Sequence, residues 1–64
     1  MEIIEIKDKL DNFIKDHEDV IINGVMITYP YRYEISDLYC HFYRGSDMIA
    51  IASVTKIKEL YWLP

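Results

Sequence analysis

The residues with the greatest chemical potential in this chain are Cys40 and His41, which are adjacent in the sequence. A thiol and an imidazole can act as nucleophile and base, or ligate one metal ion, when both side chains reach the same point. The residues around them alternate in polarity as in a half-buried strand, and neighbouring side chains of a strand point to opposite faces. We therefore expect Cys40 to be buried as a small hydrophobic residue, and His41 to face solvent or a partner.

A second group of potential ligands is the acidic segment 16–19, which includes His17. Consecutive carboxylates seldom converge on one ion, and calcium-binding loops need a glycine turn that this segment lacks. The two glycines of the chain, Gly24 and Gly45, both fit turns rather than a phosphate-binding loop. The sequence thus predicts a protein that is not an enzyme and has no cofactor and no metal site.

An amphipathic helix is predicted over residues 2–16. Apolar residues recur there at spacings of three and four, and charged residues fill the other sides. Residues 1–19 have seven acids and three lysines, a net charge of 3 − 7 = −4, whereas residues 20–64 have four acids and four bases. The whole negative excess therefore lies in the N-terminal segment. We expect an acidic helix face formed by Glu5, Asp8, Asp11, Asp16, Glu18 and Asp19.

The remainder, residues 20–63, has the period-two pattern of antiparallel strands. One hairpin is predicted around Asn23 and Gly24, a dipeptide that tolerates the positive φ angles of a type I′ turn. A central hairpin is predicted over residues 38–54, with its turn at residues 44–47. Its second arm is apolar on both faces apart from Ser53, which predicts a strand that is covered on both sides or central in the sheet.

Three further positions shape the predicted sheet. Pro30 cannot donate to a strand ladder and so marks an edge, a bulge or the end of pairing. Ser36 and Asp37 coincide with a change in the inward-facing phase from odd to even residues, which requires a turn or a bulge. Residues 55–63 fit either a helical turn or a strand, and we favour a short turn at residues 53–57 followed by a last strand.

These elements predict a single α+β domain over residues 1–64, with one N-terminal helix packed on a small antiparallel sheet of three to five strands. The order of the elements resembles that of small SH3-like or Sm-like barrels, although no motif identifies a family. A chain of this length buries only about 60% of its unfolded surface, yet 52% of its residues are hydrophobic. The excess apolar surface favours a homodimer or a docking surface.

Aromatic residues are concentrated in the second half of the chain, and three ring-bearing residues alternate along one face of the central hairpin. Tyr, Trp and Arg are enriched at interface hot spots because they combine a large contact area with a polar tip. The alternative is that single rings cover a thin core and reach water with their hydroxyls. We predict an interface formed by Tyr31, Arg32, Tyr39, His41, Tyr43, Arg44 and Trp62.

The function expected from this pattern is that of a small non-enzymatic protein-interaction module acting as a homodimer. The chain prefers amino acids that AT-rich codons encode, such as Ile, Lys, Asn and Tyr. This preference and the small size suggest a regulator or inhibitor from a phage or mobile element. Such a protein would bind a host protein or complex, for instance to counter host defence. The N-terminus has no secretory pattern and no apolar run approaches the roughly 20 residues of a membrane span. We therefore expect a cytoplasmic protein that does not bind membranes.

The alternative function is that of an SH3-, Sm- or OB-like binder of single-stranded nucleic acid, which would stack bases on surface tyrosines. This function requires the four basic side chains of residues 20–64 to gather on the aromatic face of the sheet. The acidic excess argues against nucleic-acid binding, because neutralisation of phosphates needs a basic face. An acidic helix can instead imitate the phosphate row of DNA.

Overall fold

The computed structural model describes all 64 residues and contains one α-helix, a 3₁₀ turn and six strands. The strands pair antiparallel in two sheets of three, with the orders β2-β1-β6 (the first sheet) and β3-β4-β5 (the second sheet). The elements are α1 (Ile3–Lys15), β1 (Asp19–Ile22), β2 (Val25–Ile27), β3 (Arg32–Ser36), β4 (Tyr39–Arg44), β5 (Asp47–Ser53), the 3₁₀ turn (Val54–Lys56) and β6 (Leu60–Leu63).

The predicted α+β class is confirmed, and so are the hairpin around Asn23 and the short turn that precedes the last strand. The strands are more numerous than expected and form two sheets instead of one. The additional division lies at residues 28–31, where the segment around Pro30 is outside the ladders. β2 ends at Ile27, Pro30 has no N–H with which to continue a ladder, and the chain starts the second sheet as β3 at Arg32. The SH3-like or Sm-like barrel stays a prediction, since pairing is confined to two separate sheets.

Helix α1 buries the apolar stripe that its sequence predicts. Ile6 and Leu10 are completely buried, and Phe13 and Ile14 pack against the same core while remaining partly exposed. The helix has 13 residues, and the structure contains no helix that is long and apolar enough to cross a membrane.

The C-terminal end of α1 is closed by backbone hydrogen bonds of the Schellman type. The N–H of Glu18 donates to the carbonyl of Phe13 (2.9 Å), and the N–H of His17 donates to that of Ile14 (3.1 Å). His17 takes the left-handed conformation (φ 56°) that this motif requires. The chain therefore leaves the helix at Lys15, and the acidic residues that follow belong to the connection and to β1.

Both early hairpins turn on two residues with positive φ. Asn23 (φ 47°) and Gly24 (φ 84°) form the predicted turn between β1 and β2. Asp37 (φ 52°) and Leu38 (φ 64°) form the turn between β3 and β4, which is where the pattern indicates a break. Leu38 was expected in the strand beside Cys40, but it lies in this turn with an exposed side chain. The left-handed conformation costs a non-glycine residue about 1–2 kcal/mol.

The core is a single cluster of side chains from both sheets, the helix and the 3₁₀ turn. Helix α1 covers one side of it, between an edge strand of each sheet. The ammonium of Lys9 donates to the carbonyl of Leu60 in β6 (3.4 Å), and the hydroxyl of Tyr33 in β3 donates to Asp11 (2.6 Å). On the other side of the molecule the edge strands β2 and β5 have no helix over them, and an apolar cleft lies between them.

Candidate protein-interaction surface

The most distinctive surface is the outer side of the second sheet. Cys40 and Phe42 in β4 point inward and are completely buried, so the alternate residues of β4 face outward. The register places Ile51 opposite His41 and Met48 opposite Tyr43, so β5 adds apolar side chains to the same side. We call this side the open face; its main residues are Arg32, Tyr39, His41, Tyr43, Met48 and Ile51.

Contacts among its own residues order the middle of the open face. The guanidinium carbon of Arg32 lies 4.4 Å from the centroid of the Tyr43 ring, and the His41 ring stacks on Tyr43 at 6.4 Å with an interplanar angle of 17°. A cation over an aromatic ring contributes about 0.5–1 kcal/mol at an exposed site. Arg32 also lies 3.7 Å from the carboxylate of Glu34. These side chains are therefore held in place before any partner binds, which lowers the entropy lost on association.

Strand β5 lies at an edge, and the prediction that it is covered on both sides or central in the sheet is wrong. It pairs only with β4, and Met48, Ile49 and Ile51 are all exposed. The turn at residues 45–46 returns the chain along the side of β4 that is away from β3, and after Ser53 the chain leaves in the 3₁₀ turn. No later strand of this chain adds to that edge. An apolar pattern indicates that a strand is buried, but it does not indicate whether the covering residues belong to the same chain or to a partner.

The apolar cleft beside β5 has a volume of about 310 Å³. Ile22 and Ile27 of the first sheet line one wall, Ala50 and Ala52 of β5 line the other, and Phe42 lies between them. Small alanine side chains on β5 leave this space open. The edge of β5 is thus bordered by apolar surface on both sides, by the open face and by the cleft.

Tyr31 was predicted at the interface, but it belongs to the core. Its side chain is only 5% exposed, and its ring lies 6.0 Å from that of Phe42. The hydroxyl is buried and has no hydrogen-bond partner. Burial, together with the negative charges of Asp19 and Glu18, raises the pKa of Tyr31 to about 12. Tyr31 has the inward phase of the odd-numbered residues before the turn at Asp37, and its ring packs in the core.

Arg44 and Trp62 were also predicted at the interface, and neither belongs to the open face. The guanidinium of Arg44 donates to the carbonyl (2.6 Å) and the hydroxyl (2.9 Å) of Thr28 and to the carbonyl of Pro30 (3.0 Å). It fixes the connection between the sheets. Trp62 is exposed but lies in β6, in the first sheet. The structure thus brings together Arg32, Tyr39, His41 and Tyr43 and separates the other three predicted residues.

The predicted acidic helix face is only half helical. Glu5, Asp8 and Asp11 are exposed on α1. Glu5 lies 4.0 Å from Lys9, an exposed pair of small energetic value. Asp11 accepts the hydrogen bond from Tyr33. The pKa of the Tyr33 hydroxyl is raised, mainly by burial and to a smaller extent by this bond.

The other three predicted acids, Asp16, Glu18 and Asp19, lie beyond the end of the helix, which corrects the prediction. Asp19 starts β1 and accepts a 2.7 Å hydrogen bond from the backbone N–H of Tyr29. Partial burial and the neighbouring Asp16 raise the pKa of Glu18. Asp19 thus ties the start of β1 to the chain at Tyr29, and none of the three residues extends the acidic face of the helix.

The predicted burial of Cys40 is confirmed, and burial raises the pKa of its thiol to about 11. At neutral pH the sulfur therefore stays protonated and is a poor nucleophile. His41 lies on the opposite side of the strand, as the spacing predicts. No group of three or more His, Cys, Asp or Glu side chains is arranged to hold a metal ion.

Sequence reasoning missed the contribution of β5 to this surface. Met48, Ile49 and Ile51 have the apolar pattern of a covered strand, and no signal in the sequence distinguishes such a strand from an exposed edge. The fold and the surface together define a small α+β domain with an aromatic and apolar sheet side that is open. No protein-family model, no curated protein and no solved structure matches this chain.

Proposed function

We propose that this protein is a non-enzymatic protein-interaction module that acts as a homodimer through its second sheet. The observation that carries the proposal is the exposure of neighbouring apolar and aromatic side chains on β4 and β5. Tyr39, Met48 and Ile51 are each close to half exposed, on the same side of one sheet. Burial of this apolar surface contributes about 25 cal/mol per Å², which opposes the entropy cost of association.

The size of the molecule suits a dimer with one such contact. An interface of standard size covers about 800 Å² on each partner, which is about a fifth of the 4298 Å² of this chain. The open face next to β5 has the Tyr43 ring with Arg32 over it, and both residue types are enriched at interface hot spots.

Charge also supports a dimer at the second sheet. The first 19 residues have a net charge of −4, and their helix lies on the β3 and β6 side of the molecule. Two copies that met there would repel each other. Contact through β5 keeps the acidic helices apart and leaves Glu5 and Asp8 accessible to a second partner with a basic surface. That this partner is a host protein of a phage or mobile element is proposed from size and composition alone.

Binding of single-stranded nucleic acid is the weaker proposal, because the basic side chains of the second half of the chain are dispersed over the molecule. Arg32 is the basic residue that lies over the open face, where its guanidinium contacts the Tyr43 ring. Arg44 is engaged with Thr28, and Lys56 lines the cleft on the inner side of β5. Aromatic rings on which nucleobases could stack bind a phosphate backbone only weakly when no Lys or Arg side chains lie beside them.

The proposal is tested by recording amide NMR spectra of the protein over a wide range of concentrations. We expect concentration-dependent shifts at Tyr39, Tyr43 and Ile51 and constant shifts at Asp8 and at Tyr61. Tyr61 is a matched reference, because it is 47% exposed, as is Tyr39, but lies in the first sheet. Shifts that change only along α1, or constant shifts together with the mass of a single chain, contradict the proposal.

A further inference from the structure

We propose that the second copy docks edge to edge, with β5 of one subunit pairing antiparallel with β5 of the other. The two second sheets then form one continuous sheet of six strands. This inference rests on the proposed function and names the contact by which the homodimer forms. It is carried by three features of β5: the direction of its backbone groups, its composition and its position relative to the charged helix.

The backbone groups of β5 that face away from β4 can be identified. The N–H of Val54 donates to the carbonyl of Leu38 (2.9 Å), in line with the register that pairs Cys40 with Ala52. In an antiparallel ladder these directions alternate along the strand. The N–H and carbonyl groups of Ile51 therefore point to the free edge, where only another strand or water can satisfy them.

The composition of β5 suits pairing with itself. A two-fold contact is self-complementary, so each residue must tolerate the one that the symmetry places opposite it. With the axis at Ile51, this residue meets its own copy, and Ala50 lies opposite Ala52 of the partner subunit. Residues 48–53 contain no charge, no proline and no glycine.

Proteins usually protect an exposed edge with a charge, a proline, a bulge or a covering element. β5 has a charge at its first residue, Asp47, and a bulge at the Met48 and Ile49 end, and the segment from Ala50 to Ser53 is regular and uncharged. A strand of seven residues is about 24 Å long, which matches the 25 Å long dimension of the molecule. The part of this edge that has neither a charge nor a bulge is residues 50–53, and this part is open to a second strand.

The other strand edges are less suited to a second copy. β2 has only three residues, and β6 lies beside α1, where Lys9 donates to the carbonyl of Leu60. β3 also lies beside α1, whose Asp11 accepts from Tyr33. Pairing at β3 or β6 would bring the two acidic helices together. β5 is the long edge that is remote from them.

Two oppositely charged variants at the symmetry axis test this geometry. Ile51→Lys and Ile51→Glu each place like charges opposite each other across the axis, which destabilises a strand pair. We expect each variant alone to weaken the dimer more than about tenfold, and an equal mixture of the two to recover the dimer mass in sedimentation velocity. Met26→Lys is the matched control, because Met26 and Ile51 are both 52% exposed, and its dimer should be unchanged.

The outcomes separate the edge contact from the proposed function. A wild type that stays monomeric at all concentrations overturns both. If the wild type is a dimer and the Ile51 variants leave it unchanged, or their mixture stays monomeric, the edge contact is wrong and the homodimer stands. A face-to-face dimer would then be dissociated by Tyr39→Ala with Tyr43→Ala. As a check without substitutions, the amide of Ile51 should exchange more slowly in the dimer than in the diluted monomer.

Discussion

Asn23 and Glu59 exchange hydrogen bonds in both directions. The backbone N–H of Asn23 donates to the carbonyl of Glu59 (3.0 Å), and the backbone N–H of Glu59 donates to the Asn23 Oδ1 (3.1 Å). The same oxygen accepts from the N–H of Lys58 (2.9 Å), and the Asn23 Nδ2 donates to the carbonyl of Lys56 (2.9 Å). One turn residue thus ties the β1–β2 hairpin to the segment that leads into β6 and supports the end of the apolar cleft.

Replacement of Asn23 by glycine should therefore destabilise the fold, although glycine suits the positive φ of this position. The variant loses three side-chain hydrogen bonds, each worth about 0.5–1.5 kcal/mol net, and we expect the free energy of unfolding to fall by about 2 kcal/mol in urea titrations. Asn12→Ala is the control, because the Asn12 side chain is exposed on α1 and its side-chain amide makes no hydrogen bond. A loss no larger in Asn23→Gly than in this control would show that the bonds contribute nothing.

Two apolar residues of α1 should respond in opposite ways to truncation. Leu10 is completely buried, whereas Ile4 is 69% exposed on the outer side of the same helix. Leu10→Ala leaves a cavity and should cost about 2–5 kcal/mol, enough to unfold much of a domain of marginal stability. Ile4→Ala should change stability by less than about 0.5 kcal/mol. Equal effects in thermal unfolding would contradict the packing of the helix.

Stability should fall at alkaline pH. Burial raises the pKa of Cys40 from 9.0 to about 11 and that of Tyr31 from 10.0 to about 12. Because both pKa values are higher in the folded state, the stability that these groups contribute is complete below pH 9. It is lost as the pH rises, first through the range of Cys40 and then through that of Tyr31.

Two variants assign that alkaline loss to its residues. Cys40→Ala should flatten the dependence of unfolding free energy on pH between about 9 and 11, and Tyr31→Phe should flatten it between about 10 and 12. Tyr31→Phe also removes a buried hydroxyl that has no partner, so at neutral pH it should be as stable as the wild type or more so. Variants that lose stability with pH as steeply as the wild type would contradict the assignment.

Local patterns predicted the elements of this fold well. The 3–4 spacing located the helix with its buried Ile6 and Leu10, and Asn23 with Gly24 located the first turn. The phase change at Ser36 located the second turn to within two residues. Such features depend on neighbours in the sequence, so the sequence alone is sufficient to predict them.

The candidate surface was less predictable because it depends on what the rest of the chain covers. The pattern of β5 indicates burial, but only the strand order reveals that β5 is an edge. The charge of Arg44 suggested a contact with a partner, but the fold brings Thr28 within its reach. Tyr31 is an aromatic residue of the type found in interfaces, and only its phase relative to the core distinguishes it from Tyr39.

The most direct test of self-association is the mass of the wild-type protein in solution, measured by light scattering behind a sizing column over a wide range of concentrations. We expect a species of twice the 7.7 kDa chain mass that dissociates only on strong dilution. A mass of one chain at every concentration would contradict it, and the second sheet would then have no second copy over β5.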